Sequence, residues 1–402
     1  MDSLTLDKVY HAAYVLKSVA RKTDLIHAAG LCPDCDLYLK TENLQVTGSF
    51  KVRGAYYKIS QLTEEEKSKG VIASSAGNHA QGVALAAKEN GIPCVICMPD
   101  GAPISKVEAT KAYGAKVCLV KGAYDDAYDY ACELQEKEGY TFIHPFNDPE
   151  VIAGQGTIGL EILDQLSDVE VVLVPVGGGG LISGVAYAIK KLHPECKVYG
   201  VQAAGSASME QSLKQHEPIT LDTAATFADG IAVKHPGDLT FELVSKYVDG
   251  VVTVTDDETA CAILALMEKQ KLVTEGAGAV GVAAAMFGKV DIRGKKTVCL
   301  LSGGNIDVNI LSRVISRGLT IAGRNSTLTL QLEDKPGQLT DVSEIISRNG
   351  GNVVRVHYNQ ADPNLAITSC YLTLSIETRD GEQVEKIKKD LAASGFQLVS
   401  HT

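Results

Sequence analysis

The 402-residue sequence predicts an α/β protein in two parts: a unit with a buried parallel sheet over residues 1–320, and a ferredoxin-like βαββαβ unit over 326–402. Three observations carry this expectation. Strand-like apolar runs alternate with helical patterns through the first three-quarters of the chain, as βαβ units do when helices cover both faces of a sheet. Several of those helices begin in glycine-containing turns. Beyond Gly323 the period shortens to two, with Leu328, Leu330 and Leu332 alternating with Thr329 and Gln331, which marks a strand with one buried face. The length also exceeds that of one compact core.

The clearest strands are expected at 70–75, 94–98, 116–120, 169–176, 197–202 and 297–301. A helix over 78–90 ends in Asn90-Gly91-Ile92-Pro93, where glycine caps the helix and proline stops it. The uncharged run 171–189 approaches the length of a membrane-spanning helix. Pro175 and four consecutive glycines interrupt it, so it is read as strand, loop and helix. In the last part, Leu339, Val342, Ile345 and Ile346 mark one face of a helix. Strands at 353–358 and 366–377, a helix at 382–394 and a final strand complete the βαββαβ order.

A net charge of −11 disfavours nucleic acid or an anionic membrane as partner, since both call for a positive footprint. No basic stretch followed by an apolar core opens the chain, so the cytoplasm is the expected compartment. Ten cysteines then read as buried apolar residues or reduced thiols. Cys94 and Cys97 lie in a predicted strand, where the odd offset sends them to opposite faces, away from any shared ion. Cys32 and Cys35 have the spacing of a redox pair or half a zinc site. No second pair accompanies them, and no metal is expected.

Four segments carry chemistry. A lone lysine is by default a solvated surface charge, but Lys51 stands in Gly48-Ser49-Phe50-Lys51-Val52-Arg53-Gly54. Phe50 offers an aromatic surface there, and the glycines let the backbone approach another group closely. An amine in such a pocket can condense with an aldehyde and, once released, act as a base. Gly177-Gly178-Gly179-Gly180-Leu181 leaves an apolar strand and enters a helix, a match for phosphate. The spacing Gly-x-Gly-x-x-Gly is absent after Gly177 and no Gly-Lys-Ser/Thr follows, so a dinucleotide or triphosphate does not fit at this turn. Ser75-Ala76-Gly77-Asn78-His79 sits between strand and helix at the carboxyl edge of the sheet, where ligands bind in such folds. Asn78 can donate to a ring oxygen, and the neighbouring N–H groups can receive a carboxylate. Ser302, just past a buried strand, can meet a ring nitrogen. Together these groups match pyridoxal 5′-phosphate.

With these motifs in this order, residues 5–320 resemble the threonine ammonia-lyases, or threonine dehydratases, of pyridoxal phosphate fold type II. The resemblance implies that Lys51 is the Schiff-base lysine, that Phe50 packs beside the cofactor ring and that Asn78 partners the ring's 3-oxygen. It also implies that the glycine run with Leu181 cradles the phosphate and that Ser302 faces the pyridine nitrogen. Ser75, Ala76, Gly77, Asn78 and His79 would hold the amino-acid substrate. A serine hydroxyl does not enforce a protonated pyridine, which suits prompt loss of a β-substituent. Glu275 resembles an acidic residue near the family's active site, and a helix-start carboxylate explains it equally well.

Related families depart at single residues. Threonine synthases carry an acidic residue where this chain has Val52. Serine racemases place a second base where Ala76 stands, and Gln202 and Ser208 replace the carboxylates of a racemase-type metal site. Hydroxyaspartate dehydratases share the reaction type. A non-catalytic amino-acid sensor is disfavoured by retention of Lys51, Asn78, the glycines and Ser302. Residues 326–402 are similar to an ACT domain. That implies allosteric control by isoleucine, valine or a nucleotide near Gly337, Gln338, Leu339 and Asn352, and a homotetramer.

Overall fold

The structure, a computed structural model, describes residues 4–28, 30–363 and 365–399. It divides into two compact units, Met1–Asp307 and Val308–Thr402. The division falls at 307/308 and not at 320, because helix Val308–Ile321 packs on the first strand of the second unit.

The first unit contains two sheets. The larger has the order β1-β2-β10-β7-β8-β9, built from β1 (Leu25–His27), β2 (Asp36–Lys40), β7 (Val171–Pro175), β8 (Lys197–Ala203), β9 (Gly250–Val254) and β10 (Lys296–Leu300). Only the β1–β2 pair is antiparallel. The smaller sheet has the order β5-β4-β3-β6, from β3 (Val71–Ser74), β4 (Cys94–Pro99), β5 (Lys116–Val120) and β6 (Thr141–Phe142), and is wholly parallel. Every residue of β7 is buried, as a central parallel strand with helices on both faces requires. Helix Gly180–Leu192 covers one face. Helix Gly276–Met286 covers the other, and its glycines, alanines and valines let it sit close enough for every residue from 276 to 285 to be buried.

The expected strands are present with ends shifted by up to three residues, the largest shift being the start of the strand expected at 366–377, which begins at Ser369. Sequence reasoning did not single out β1, β2, β6 or β9. β2 was hidden by its charge: Lys40 is fully buried on this strand, its ammonium bound to Glu161 at 2.6 Å and to the Thr23 carbonyl at 2.7 Å. Cys94 and Cys97 do face opposite sides of β4, one packing among Ala55, Val83 and Ile96, the other beside Ile72 and Ala127. Cys32 and Cys35 are buried free thiols, and burial pushes Cys35 up to about 12.

The Lys40 site extends to the helix that begins at Lys51. Arg53, 1% exposed, bonds both oxygens of Glu42 at 2.8 Å and both oxygens of Glu161 at 2.7 and 3.0 Å. Burial alone would raise the Glu42 carboxyl, but the Arg53 guanidinium overcomes it and holds the group below the ordinary range. Helix Lys51–Ser60 is thereby tied to the Glu42 turn on one side and to helix Pro149–Gln165 on the other.

In the second unit, β11 (Asn325–Glu333), β12 (Asn352–Asn359), β13 (Ser369–Glu377) and β14 (Gln397–Leu398) form an antiparallel sheet of order β12-β13-β11-β14. Helices Gln338–Arg348 and Gly381–Ala393 complete the ferredoxin-like order. Leu328, Leu330, Leu372, Leu374, Val342 and Ile387 make its core, the alternation of β11 placing its leucines on the helix side.

Candidate active site

Parallel strands deliver their carboxyl ends to one edge of a sheet, and helices starting there leave N–H groups unpaired. β7 and β10 are hydrogen-bonded neighbours, so the glycine turn after Pro175 and the Ser302 turn after Leu300 emerge side by side. The lysine segment is stitched to the second of these. Phe50 N donates to Ser302 O at 3.1 Å, Gly304 N donates to Gly48 O at 2.9 Å, and Ser49 bridges Gly303. Gly82 brings helix Asn78–Glu89 against the backbone of Lys51, where a Cβ would stand 3.0 Å from its carbonyl carbon.

A short polar chain crosses the cleft. Asn305 Nδ2 donates to Asn78 Oδ1 at 2.8 Å, and Asn78 Nδ2 donates to Glu275 Oε1 at 2.7 Å. Glu275 caps helix Gly276–Met286, its N–H bound to Gly303 O at 3.1 Å. Gly303 lies so close to the carboxyl group that a side chain there would collide with it. Burial, and then the charge of Asp229, raise Glu275 to about 7 against the opposing hydrogen bond from Asn78. Asp229 itself pairs at 2.7 Å with Lys106, on a helix that follows β4 in the smaller sheet.

Lys51 keeps part of its surface open at the cleft but is enclosed enough that desolvation brings it down to about 8, Glu275 opposing the shift. Its ammonium donates to Pro145 O at 3.0 Å and lies 5.3 Å from the centre of the Phe50 ring. Two imidazoles flank it. Burial first, and the Lys51 charge second, hold His79 at about 3 and His144 at about 4, so both are neutral.

These residues fit a phosphorylated pyridine aldehyde. Among the described residues, the N–H groups of Gly177, Gly178 and Gly179 have no acceptor in the chain, although Gly178 and Gly179 are buried. Unmet donors in a buried turn at a helix start are the signature of an anion site. The turn cannot carry side chains: Phe146 lies against Gly178 and Gly180, and Gly179 adopts φ +96°. Thr240 Oγ1 fixes the turn from behind, donating to Gly178 O at 2.6 Å. Leu181 and Ser302 are buried at 6% and 2% exposure.

The predicted residues therefore gather around one cleft, with two qualifications. His79 turns its ring away to Ile143 O at 2.8 Å, leaving only its backbone to face a ligand, and Ser75 Oγ is engaged by Gly77 N at 3.1 Å. In the second unit, Gly337, with φ +96°, Gln338 and Leu339 open a helix that ends before Asn352. That helix separates them by about 16 Å at 1.5 Å per residue, so Asn352 does not join the Gly337 turn. It binds Glu377 at 3.0 Å instead. Sequence reasoning missed His144, Pro145, Phe146 and the Lys106–Asp229 pair. A histidine and a proline between a short strand and a long helix that itself opens on Pro149 were the available signal for the first three.

A family model described as pyridoxal-phosphate dependent enzyme matches residues 16–303. The L-threonine ammonia-lyase of Thermotoga maritima is 51% identical over 397 residues, covering 98% of this chain and 99% of that one. Among solved structures, the processed form of threonine deaminase isoform 2 from Solanum lycopersicum has a TM-score of 0.74 at 40% identity, over 78% of this chain and 89% of that one. Maize serine racemase also has a TM-score of 0.74, at 35% identity, over 79% of this chain and 99% of the racemase.

Proposed function

This chain belongs to the pyridoxal-phosphate dependent enzymes, and from that premise we propose that it deaminates L-threonine to 2-oxobutanoate and ammonia by β-elimination. L-serine, giving pyruvate, is a second substrate on the same reading. The protein is a lyase and its cofactor is pyridoxal 5′-phosphate.

When bound, the cofactor supplies an aldehyde that joins amines and a ring that withdraws electrons from the substrate's Cα. Lys51 would carry it. The N–H groups of Gly177 to Gly179 would take its phosphate, Asn78 its ring oxygen and Ser302 its ring nitrogen, with Phe50 beside the ring. The substrate carboxylate would be received by the backbone N–H groups of Ala76, Asn78 and His79, at the positive end of helix Asn78–Glu89. Lys51, poised near pH 8, then takes the Cα proton. The β-hydroxyl departs as water after gaining a proton, and hydrolysis of the remainder releases ammonia.

The observation that carries elimination is Ala76. It lines the same turn as Asn78, half-buried, and its methyl group has no proton to give, so Cα can be deprotonated but not reprotonated from that side. The equal TM-scores to a deaminase and a racemase make racemisation the second reading to be tested. Purified holoenzyme given L-threonine, L-serine and D-serine is expected to release 2-oxo acid from the L-substrates with no inversion of serine. D-serine formed from L-serine, or no 2-oxo acid despite a bound cofactor, would refute the assignment.

Residues 326–402 act, on this proposal, as an ACT-type regulatory unit. Its ferredoxin-like fold supports that role, and isoleucine, valine or a nucleotide is the effector. Titrating each while following kinetics and sedimentation tests it. Unchanged kinetics and an unchanged oligomer, expected to be a homotetramer, would count against it.

A further inference from the structure

Residues 143–149 run from β6 to helix Pro149–Gln165 and on the way meet His79, Lys51 and the glycine turn. Ile143 O accepts from His79, Pro145 O accepts from Lys51, Phe146 lies against the glycine turn, and Asn147 Oδ1 accepts from Leu239 N at 3.1 Å. Asp148 caps the next helix and pairs with Lys58 at 2.8 Å.

The centre of this segment is His144. Its Nδ1 lies 2.8 Å from Asn147 N and 3.2 Å from Phe146 N, and both of those are donors. A ring nitrogen that accepts two N–H groups carries no proton, so the proton of the neutral ring is on Nε2. The ring also stands edge-on to Phe146, 4.7 Å between centres at 89°. The chain thus winds around the imidazole, and Pro145 is enclosed in the turn. Proline's fixed φ removes one of the two backbone rotations that set where its carbonyl points, and the Phe146 and Asn147 N–H bonds to His144 restrain the other.

We propose that His144 is a positioning residue for Lys51: it gathers the Phe146 and Asn147 N–H groups into a turn that aims the Pro145 carbonyl at the lysine amine and holds that amine whenever it is not joined to the cofactor. This rests on the reading of Lys51 as the cofactor lysine. An amine that donates one N–H to a fixed acceptor keeps its lone pair directed away from that acceptor, and that lone pair would take the substrate proton and, once the proton has passed to the departing hydroxyl, be free to rejoin the cofactor. Without the turn, the four-carbon arm of Lys51 samples other rotamers, and a misplacement of about 1 Å costs on the order of 10²-fold in rate.

The test compares His144→Leu, which accepts nothing, with His144→Asn, whose Oδ1 can accept the same two N–H groups. Two rates are read in each: turnover of L-threonine by the holoenzyme, and growth of the lysine-bound absorption band when pyridoxal phosphate is returned to stripped protein. In His144→Leu both are expected to fall about 10²-fold, with KM changed less than threefold. His144→Asn is expected to recover at least tenfold of each. Wild-type rates in His144→Leu, or equal losses in both variants, overturn the proposal. If His144→Leu fails to fold, His144→Gln takes its place: its longer arm displaces the acceptor, and rates equal to those of His144→Asn overturn the proposal. Borohydride reduction and peptide mapping separate the two ideas. A label on another lysine sinks the reading of Lys51, whereas a label on Lys51 with unaltered rates sinks only the role of His144.

Discussion

Lys51 and Glu275 are displaced from their ordinary values in opposite directions by the same cause, removal from water, and each then favours its neutral form. Lys51→Ala is expected to abolish the lysine-bound absorption band and lower kcat by at least about 10²- to 10⁴-fold. A band of normal intensity in that variant would place the cofactor elsewhere. Glu275 gives a pH signature. Because its folded value is raised from 4.5 to about 7, its stabilising contribution is complete below pH 4.5 and is lost as pH rises through about 7. Glu275→Gln, locked in the neutral form, should therefore gain stability on cofactor-free wild type between pH 5 and pH 8, by at most about 3 kcal/mol, read as a growing difference in Tm. A gap that narrows with rising pH would mean the fold prefers the carboxylate. Lys51 acts in a separate window, adding stability as pH rises from about 8 toward 10.5.

Among elements, legibility followed how local the determining contacts are. The phosphate-type turn, the helix after Gly77 and the βαββαβ unit were legible because glycine runs and hydrophobic period are properties of short segments. β2 was not, since Lys40 reads as a surface charge until Glu161, far along the chain, supplies its partner. The 143–149 segment escaped for the same reason: the importance of a histidine and a proline there lies in which distant atoms they meet. The pinned start of helix Lys51–Ser60 yields a further prediction. Arg53→Ala leaves Glu42, fully buried, without its cation and should cost about 3–5 kcal/mol of stability at neutral pH. Glu42 is held below its ordinary value, so wild type loses that advantage as pH falls, and the deficit of the variant should shrink toward pH 4. Urea unfolding at pH 7 and pH 4 checks both statements.

Over the whole molecule, the smaller and larger sheets of the first unit are joined across the cleft by Lys106 and Asp229. The carboxylate is 63% exposed, which limits the pair to at most about 1 kcal/mol. Lys106→Met should accordingly raise KM for L-threonine by no more than about fivefold with kcat nearly unchanged. A hundredfold change would give the lysine a direct part in the chemistry. The second unit has its own core, so residues 308–402 produced alone should melt cooperatively. The order of strands in the larger sheet also governs how the chain is made. Lys40 of β2 is paired with Leu300 of β10, whereas all four strands of the smaller sheet lie between residues 71 and 142. During synthesis, β2 leaves the ribosome early and waits, unpartnered on that side, until nearly the whole first unit has followed. The smaller sheet closes in the meantime, as an insertion that matures before its host. A nascent chain stalled once residue 150 has cleared the ribosome should thus protect the amides of 71–120 from exchange while those of 36–40 remain open.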